Sequence, residues 1–464
     1  MQGIQQFILQ SPTLGNNIEA SDLVKYICEG LFEECLPKGC TLEKSDRGCP
    51  VTNAAGKVRY IFSNREDCEA VVLDFPRRVL NMAPGITISQ AVVEVKSDNQ
   101  FQEKMKELEE LLIVQRNKPM PSLTIGLMGI KRDAQTNLPI QHNEQVYKDR
   151  SEINNLLCRD AFGKDIKSLY NIEDMTQSND WIAVVHADGN GLGQVVKKVA
   201  AQGQEAYSSF SRKLDKCCKL SARAAFEAVK EAEWENDKGA PIRPVVLGGD
   251  DFTFICRASL AIPLVTAFIR EFESQTEKEI GKLTVCAGIA YVKSSFPYYY
   301  SYELAESLCE VAKEDTKRDC PKDKPAPSCL MFHKVQDSFI TDYKEIVARE
   351  LTPSKSISLK YGPYYLDPHE DRWTIDKIEM AAKELTKEDE KENNKGLKSR
   401  LRKYLTILHD QPQLAVQELN RIKQIYSKDK DYIERVTNPR PSDKAIPVYD
   451  ILSLHTINNQ ITKS

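Results

Sequence analysis

The chain has 464 residues, enough for roughly two to four domains that each bury a core of their own. Its 64 basic residues stand against 68 acidic ones, a net charge of −4, which argues against a nonspecific nucleic-acid binder while leaving room for one local basic surface. No apolar run approaches the roughly 18–20 residues that span a bilayer. The start, MQGIQQFILQSPTLGNN, lacks the basic flank, long apolar stretch and cleavage site of a signal peptide, so a cytoplasmic protein without membrane contact is expected.

In chain order, the first expected element is a helix over ASDLVKYICEGLFEECL. Cys35, Cys40 and Cys49 lie close together behind it, with Cys28 and Cys68 not far off. Zinc sites pair a tight C-x2–4-C with a matching second pair, and only the gap between Cys35 and Cys40 qualifies, so zinc is not expected. The thirteen cysteines are odd in number and scattered through apolar segments, as at Cys217, Cys256, Cys286 and Cys309. Reduced, buried thiols in a cytosolic protein fit that pattern. VTNAAGKVRYIF (51–62) reads as strand, tight turn, strand; EDCEAVVLDFPRRVL as a helix; ITISQAVVEVK (86–96) as a strand. Residues 1–117 are expected to form one domain. Residues 118–178, Gly- and Pro-containing with a short helix near 151–170, read as a connector.

A second domain is expected over 179–365. WIAVVHA (181–187) is a buried-type strand ending at Asp188-Gly189-Asn190-Gly191. A helix follows from about Glu205 to Glu233, with Phe210, Leu214, Cys217, Leu220, Ala224 and Ala228 on its apolar face. Next come a hairpin around Gly248–Asp251, a helix at 258–274, a strand at 283–293, a helix at 300–315 and a strand at 328–333. The order βαββαβ is ferredoxin-like, an α+β arrangement. From 366 to 464 the pattern is helical and charged. It includes a solvated run Lys383–Lys395, the basic KGLKSRLRK (395–403), and a break at Asn438-Pro439-Arg440-Pro441-Ser442 before a last short helix.

The sequence also repeats itself. VTNAAGKVRYIF aligns without a gap on VVLGGDDFTFIC (245–256), and ITISQAVVEVK on LTVCAGIAYVK (283–293), with an apolar helical stretch between the members of each pair. Two matches in the same order predict two copies of one α/β unit.

A carboxylate at the end of a buried strand, with two adjacent carboxylates on a hairpin, is a recurrent holder of two magnesium ions. Mg²⁺ takes hard oxygen ligands and completes its octahedron with water and phosphate oxygens. Two such ions activate a 3′-hydroxyl and stabilise the leaving pyrophosphate. Asp188, Asp250 and Asp251 fit those roles, with Mg²⁺ or Mn²⁺ as the metal. Gly248 and Gly249 allow a tight turn and leave space for a base or ribose. Gly189 and Gly191, around Asn190, expose backbone N–H groups where a phosphate can be cradled.

WIAVVHADGNGLGQ, VVLGGDDFTFIC, LTVCAGIAYVKSSFPYYYSYELAESLCEVAK and SCLMFH together resemble the catalytic Palm of the large subunit of type III CRISPR effector complexes, a relative of GGDEF diguanylate cyclases. ASDLV, FSNREDCEA and NMAPGITISQAVVEV resemble that family's first Palm. The resemblance implies two ferredoxin-like Palm domains and a C-terminal helical domain, with ATP converted to cyclic oligoadenylate in antiviral signalling. It implies that Asp188, Asp250 and Asp251 hold metal, that Gly248 and Gly249 line the nucleotide pocket, and that Lys313 contacts the triphosphate. The first repeat has Ala54-Ala55-Gly56-Lys57 in place of GGDD and should not be catalytic. Departures matter as well: the only adjacent His-Asp is His409-Asp410, no paired-cysteine module separates the Palms, and Asn190 replaces a frequent second acid.

Two alternatives stay open: a scaffold subunit of an RNA-guided complex, whose basic 395–403 segment meets RNA or a small helical subunit, and a diguanylate-type cyclase. A homodimer is equally open.

Overall fold

A computed structural model describes residues 7–8, 14–54, 56–83, 86–97, 100–118, 156–163, 169, 172–176, 181–231, 239–318, 320, 325–336, 342–354, 356–390 and 396–458. Its elements in chain order are α1 (Leu14–Tyr26), β1 (Gly48–Ala54), β2 (Lys57–Phe62), α2 (Arg65–Met82), α3 (Phe101–Arg116), α4 (Leu156–Phe162), β3 (Trp181–Gly189), α5 (Leu192–Ala200) and α6 (Gln204–Val229). There follow β4 (Ile242–Gly248), β5 (Asp251–Arg257), α7 (Ala261–Glu279), β6 (Val285–Lys293), α8 (Tyr298–Arg318), β7 (Cys329–Lys334), α9 (Tyr343–Glu350) and β8 (Tyr364–Tyr365). Helices α10 (Ile375–Glu390), α11 (Leu397–Asp410), α12 (Pro412–Ile425), α13 (Lys430–Thr437) and α14 (Val448–Asn458) complete the chain. The expected βαββαβ order is present from β3 to β6, and the fold is α+β.

The chain divides into two compact units. One comprises Met1–Met175, Gly191–Ile255 and Ala267–Leu283; the other comprises Thr176–Asn190, Cys256–Thr266 and Thr284–Ser464.

In the first unit β1 and β2 form an antiparallel hairpin closing at Ala54↔Lys57, with a register slip between Pro50 and Thr52. Pro50 has no N–H to give the ladder, which is why a bulge sits there. Val51 packs with Phe101 of α3 and Tyr207 of α6 in a shared core. Asn64 caps α2 by accepting the Asp67 N–H at 2.8 Å. Asp160 of α4 ties α1 to α6, pairing with Lys25 and, at 3.1 Å, with Lys219.

The repeat is visible in the backbone. β1 and β4 are each seven residues long, and they end at the aligned positions Ala54 and Gly248. β2 and β5 open at the aligned positions Lys57 and Asp251. The strand expected over 86–96 is not formed; only Thr87 makes an isolated bridge. Its counterpart β6 is hydrogen-bonded on both sides, by β3 and β7, whereas 86–96 has no such pair of strands among the described residues.

The apolar face of α6 also differs from the expectation. Phe210, Leu214 and Cys217 are buried, but the stripe then continues through Ser221, Ala222, Ala225 and Phe226. Leu220 and Ala224 are half-buried and Ala228 is exposed. Steps of three residues fall short of the 3.6-residue turn, so the two threes from Leu214 to Leu220 carry the expected stripe about 120° away from the side that Ser221, Ala222 and Ala225 continue. The helix stops at Val229; Glu233 lies outside the described residues, as does the expected connector over 119–155.

In the second unit the strand order is β3, β6, β7, β8. β3 and β6 run antiparallel in unbroken register from Trp181↔Lys293 to Gly189↔Val285, and β7 lies parallel to β6 from Cys286↔Cys329 to Tyr291↔Lys334. Both central strands are almost wholly buried, which is why WIAVVHA and VCAGIAYV read as continuous apolar runs. Helix α8 lies against β6 over Gly288: a Cβ there would stand 1.9 Å from the Ala305 carbonyl oxygen and 2.5 Å from the Cys309 nitrogen. Glycine is required for that close approach. Tyr364 donates to Asp450 of α14 at 2.6 Å, and burial pushes the Asp450 carboxyl up to about 7.

All thirteen cysteines are free thiols. Cys40 donates to the Arg47 carbonyl at 3.8 Å, and Cys49 accepts from Gln204 at 2.7 Å. Among the described residues no helix is long and apolar enough to cross a membrane.

Candidate active site

Asp188 is the penultimate residue of β3, opposite Cys286 of β6. Side chains alternate along a strand, so Asp188 and His186 project to one face, the same face as Gly288 and therefore the side that α8 covers. Lys313 of α8 donates a short hydrogen bond to Asp188 Oδ2. Burial works against the Lys313 charge, but the Asp188 carboxylate outweighs it and holds the ammonium above its ordinary range. His186 is pushed the other way: burial lowers it, against the pull of Asp188, and its ring meets Tyr302 edge-on at 5.6 Å. A cleft of about 360 Å³ opens here. Lys313 and Lys317 line it beside Asp188, and Glu306, Glu310 and Glu314, spaced four residues apart on α8, form an acidic wall.

Gly189 closes β3 against Val285. Asn190 follows, anchored through its backbone N–H to the Thr284 carbonyl at 2.8 Å and through Nδ2 to Thr284 Oγ1 at 3.2 Å. Its Oδ1 is buried and accepts no hydrogen bond. An amide oxygen without a donor, two residues beyond Asp188, is suited to a cation.

The remaining residues belong to the first unit. Gly191 has φ +66° and stands at the N-terminus of α5, which has no side-chain cap. In its first turn the Gln194 N–H donates to the Gly191 carbonyl at 3.0 Å, which leaves the N–H groups of Leu192 and Gly193 for an anion. Gly248 ends β4, Gly249 and Asp250 make the turn, and Asp251 opens β5. Gly249 has φ +65° and open space where a Cβ would stand, so it is glycine for its backbone and not for lack of room. Asp251 Oδ1 accepts from Thr253 Oγ1 at 3.2 Å. The Cys218 thiol behind the turn is held well above its ordinary range by burial, reinforced by Asp215, Asp251 and Asp250.

The structure thus brings Asp188 to Lys313, and Asp250 to Asp251 on one turn. Among the described residues no group of three His, Cys, Asp or Glu side chains is arranged to hold a metal ion. Sequence reasoning passed over His186, the glutamate wall and Gly288. The signals were present: glutamates at four-residue spacing along α8, and a lone glycine inside a buried strand.

With this geometry in place the comparisons with known proteins are specific. Residues 181–321 match the family described as Cas10/Cmr2, second palm domain. The chain carries a Cas10/Cmr2-type palm. No curated protein sequence matches it. Its fold is similar to a Csm1–Csm4 cassette in complex with pppApApA, at TM-score 0.57 and 15% identity, over 98% of this chain and 68% of that one. A Csm1–Csm4 cassette in complex with cA4 aligns at TM-score 0.52 and 13% identity, over 98% and 68%. Csm1 in T. onnurineus aligns at TM-score 0.51 and 14% identity, over 100% and 68%. The fold is therefore similar to that of Csm1.

Proposed function

We propose that the chain is a metal-dependent nucleotidyltransferase that joins nucleoside triphosphates, ATP in particular, into a cyclic oligonucleotide messenger with release of pyrophosphate, in CRISPR-type antiviral defence. The observation that carries this reading is the Lys313–Asp188 pair lining a cleft inside the palm-matched segment. Adenine is favoured because the structural neighbours include cassettes with pppApApA and cA4. Those neighbours are Csm1–Csm4 cassettes, so we assign the chain to a complex containing a Csm4-like subunit.

Asp188, Asp250 and Asp251 are the residues we assign to Mg²⁺ or Mn²⁺. Their carboxylates are hard donors, and the unengaged Asn190 Oδ1 supplies a neutral oxygen of the same kind. Bound there, such ions neutralise phosphate charge and acidify an attacking 3′-hydroxyl. The chain's own residues do the positioning. Lys313, kept charged by Asp188, meets the triphosphate. The glutamates Glu306, Glu310 and Glu314 on the same helix repel phosphate, which leaves Lys313 and Lys317 as the cations of the cleft that attract it. His186, kept neutral by burial, adds no competing positive charge.

The test is incubation of the purified chain, alone and with its complex, with each labelled NTP and Mg²⁺ or Mn²⁺, followed by product mass analysis. A cyclic adenylate is expected. A product from GTP alone would move the assignment to a diguanylate-type cyclase. No product under any condition, from folded protein, would leave a scaffold.

A further inference from the structure

The far end of the β3–β6–β7 sheet carries a cluster that palm chemistry does not use. Trp181 opens β3 opposite Lys293 of β6, while Lys334 of β7 pairs with Tyr291, two residues before Lys293. By alternation Trp181, Lys293 and Lys334 share one face of the sheet, the face opposite to Asp188 and His186. Asp188 is also seven positions further along β3, roughly 23 Å away at strand rise.

Both ammonium groups lie over the Trp181 indole, Lys293 Nζ at 4.5 Å and Lys334 Nζ at 4.4 Å from the ring centroid. A third cation is close enough to act on them. Burial, then the charges of Arg402 and Lys293, push the Lys334 ammonium down to about 8. Arg402 belongs to the basic 395–403 segment, in which Arg400 and Lys403 reach Glu418 at 3.7 and 3.5 Å. Arg402 instead donates to Thr456 Oγ1 at 3.0 Å. Among the described residues neither Lys334 nor Arg402 is ion-paired with a carboxylate.

Holding two ammonium groups over one ring with a third cation near Lys334 is electrostatically unfavourable unless an anion joins them. Trp181 is only 8% exposed and its face is covered by ammonium groups, so it offers no stacking platform for a base. The site suits a compact oxyanion held by charge-assisted hydrogen bonds. We propose that Lys293 and Lys334 over Trp181, with Arg402 near Lys334, form a second phosphate-binding site, remote from Asp188, for a phosphate group carried by a free polyphosphate or by a nucleic-acid end.

Trp181 is a built-in reporter. Full-length protein without metal or nucleotide is titrated with pyrophosphate while tryptophan emission is followed. A saturable change is expected, absent in Trp181→Phe, at least about tenfold weaker in Lys334→Gln/Arg402→Gln, and unaltered in Lys313→Gln. Calorimetry of the same Lys334→Gln/Arg402→Gln protein checks the loss without relying on fluorescence. Removing a poorly solvated charge leaves the fold intact, so its melting temperature should hold or rise. Parallel titrations with inorganic phosphate and a short 5′-phosphorylated RNA assign the source: tighter saturation by RNA marks a strand end, tighter saturation by pyrophosphate a free polyphosphate. No saturable change, a change that survives Lys334→Gln/Arg402→Gln, or one lost in Lys313→Gln would overturn the site.

Discussion

The hairpins β1–β2 and β4–β5 share the length of their first strand and a turn at aligned positions, yet they differ in surroundings and in where the left-handed residue falls. β2 is half-exposed along almost its whole length, whereas β4 and β5 are nearly all buried. In the first hairpin the positive φ belongs to Gly56, the second turn position; in the other it belongs to Gly249, the first. That one-residue shift decides which position must be glycine. It leaves Asp250 in ordinary backbone space, at a turn clamped between buried strands, while the aligned position 56 cannot take an acid without strain. The acidic turn therefore sits on the copy whose backbone can hold it rigidly.

Several variants break or sharpen this comparison. The largest effect is expected from Asp250→Ala/Asp251→Ala, which should cut cyclic product by about a thousandfold or more in an NTP turnover assay while the melting curve stays close to wild type. Lys313→Met should raise KM for the triphosphate about ten- to a hundredfold by initial-rate kinetics, since it removes one charge-assisted contact.

Gly288→Ala should cost about 1–3 kcal/mol in denaturant unfolding, because the new methyl group meets the Ala305 carbonyl and pushes α8 off β6. Displacing α8 separates Lys313 from Asp188, so turnover should fall with stability. In the first-copy counterpart, positions 88–96 are half-buried or exposed and form no strand, and alanine scanning there should stay within about 0.5 kcal/mol.

Asp450 gives a pH signature. Its carboxyl sits near 7 in the fold against an ordinary 3.8, so the folded chain binds that proton more tightly than the unfolded one. Stability from this group is therefore full below about pH 4, is lost as pH rises toward 7, and is flat above. Asp450→Asn, which still accepts from Tyr364, should remove that slope and stabilise the protein at pH 8 by of order 2 kcal/mol in thermal melts across pH.

Much of this architecture was legible in the chain. Continuous apolar runs announced β3 and β6, and the gapless match of VTNAAGKVRYIF with VVLGGDDFTFIC located both hairpins, because turn residues and strand alternation are local properties. What sequence could not supply was pairing. ITISQAVVEVK has the same pattern as β6 but, among the described residues, no strand on either side, so strand propensity went unrealised. The burial of α6 beyond Cys217 was misread because helix phase accumulates over many residues. Lys313 came from resemblance alone; its bond to Asp188 depends on Gly288 letting α8 close on the sheet, a tertiary fact.

The most direct test of the central claim assays two hairpin variants side by side with labelled ATP and Mn²⁺, reading cyclic product by mass: Asp250→Ala/Asp251→Ala in the second hairpin, and Gly56→Asp/Lys57→Asp in the first. The account predicts that the second-hairpin variant is inactive. It predicts that the first-hairpin variant, destabilised by about 1 kcal/mol at its left-handed position, makes product at the wild-type rate within about twofold. Full product from the second-hairpin variant, or product gained through the acids placed at 56 and 57, would contradict it.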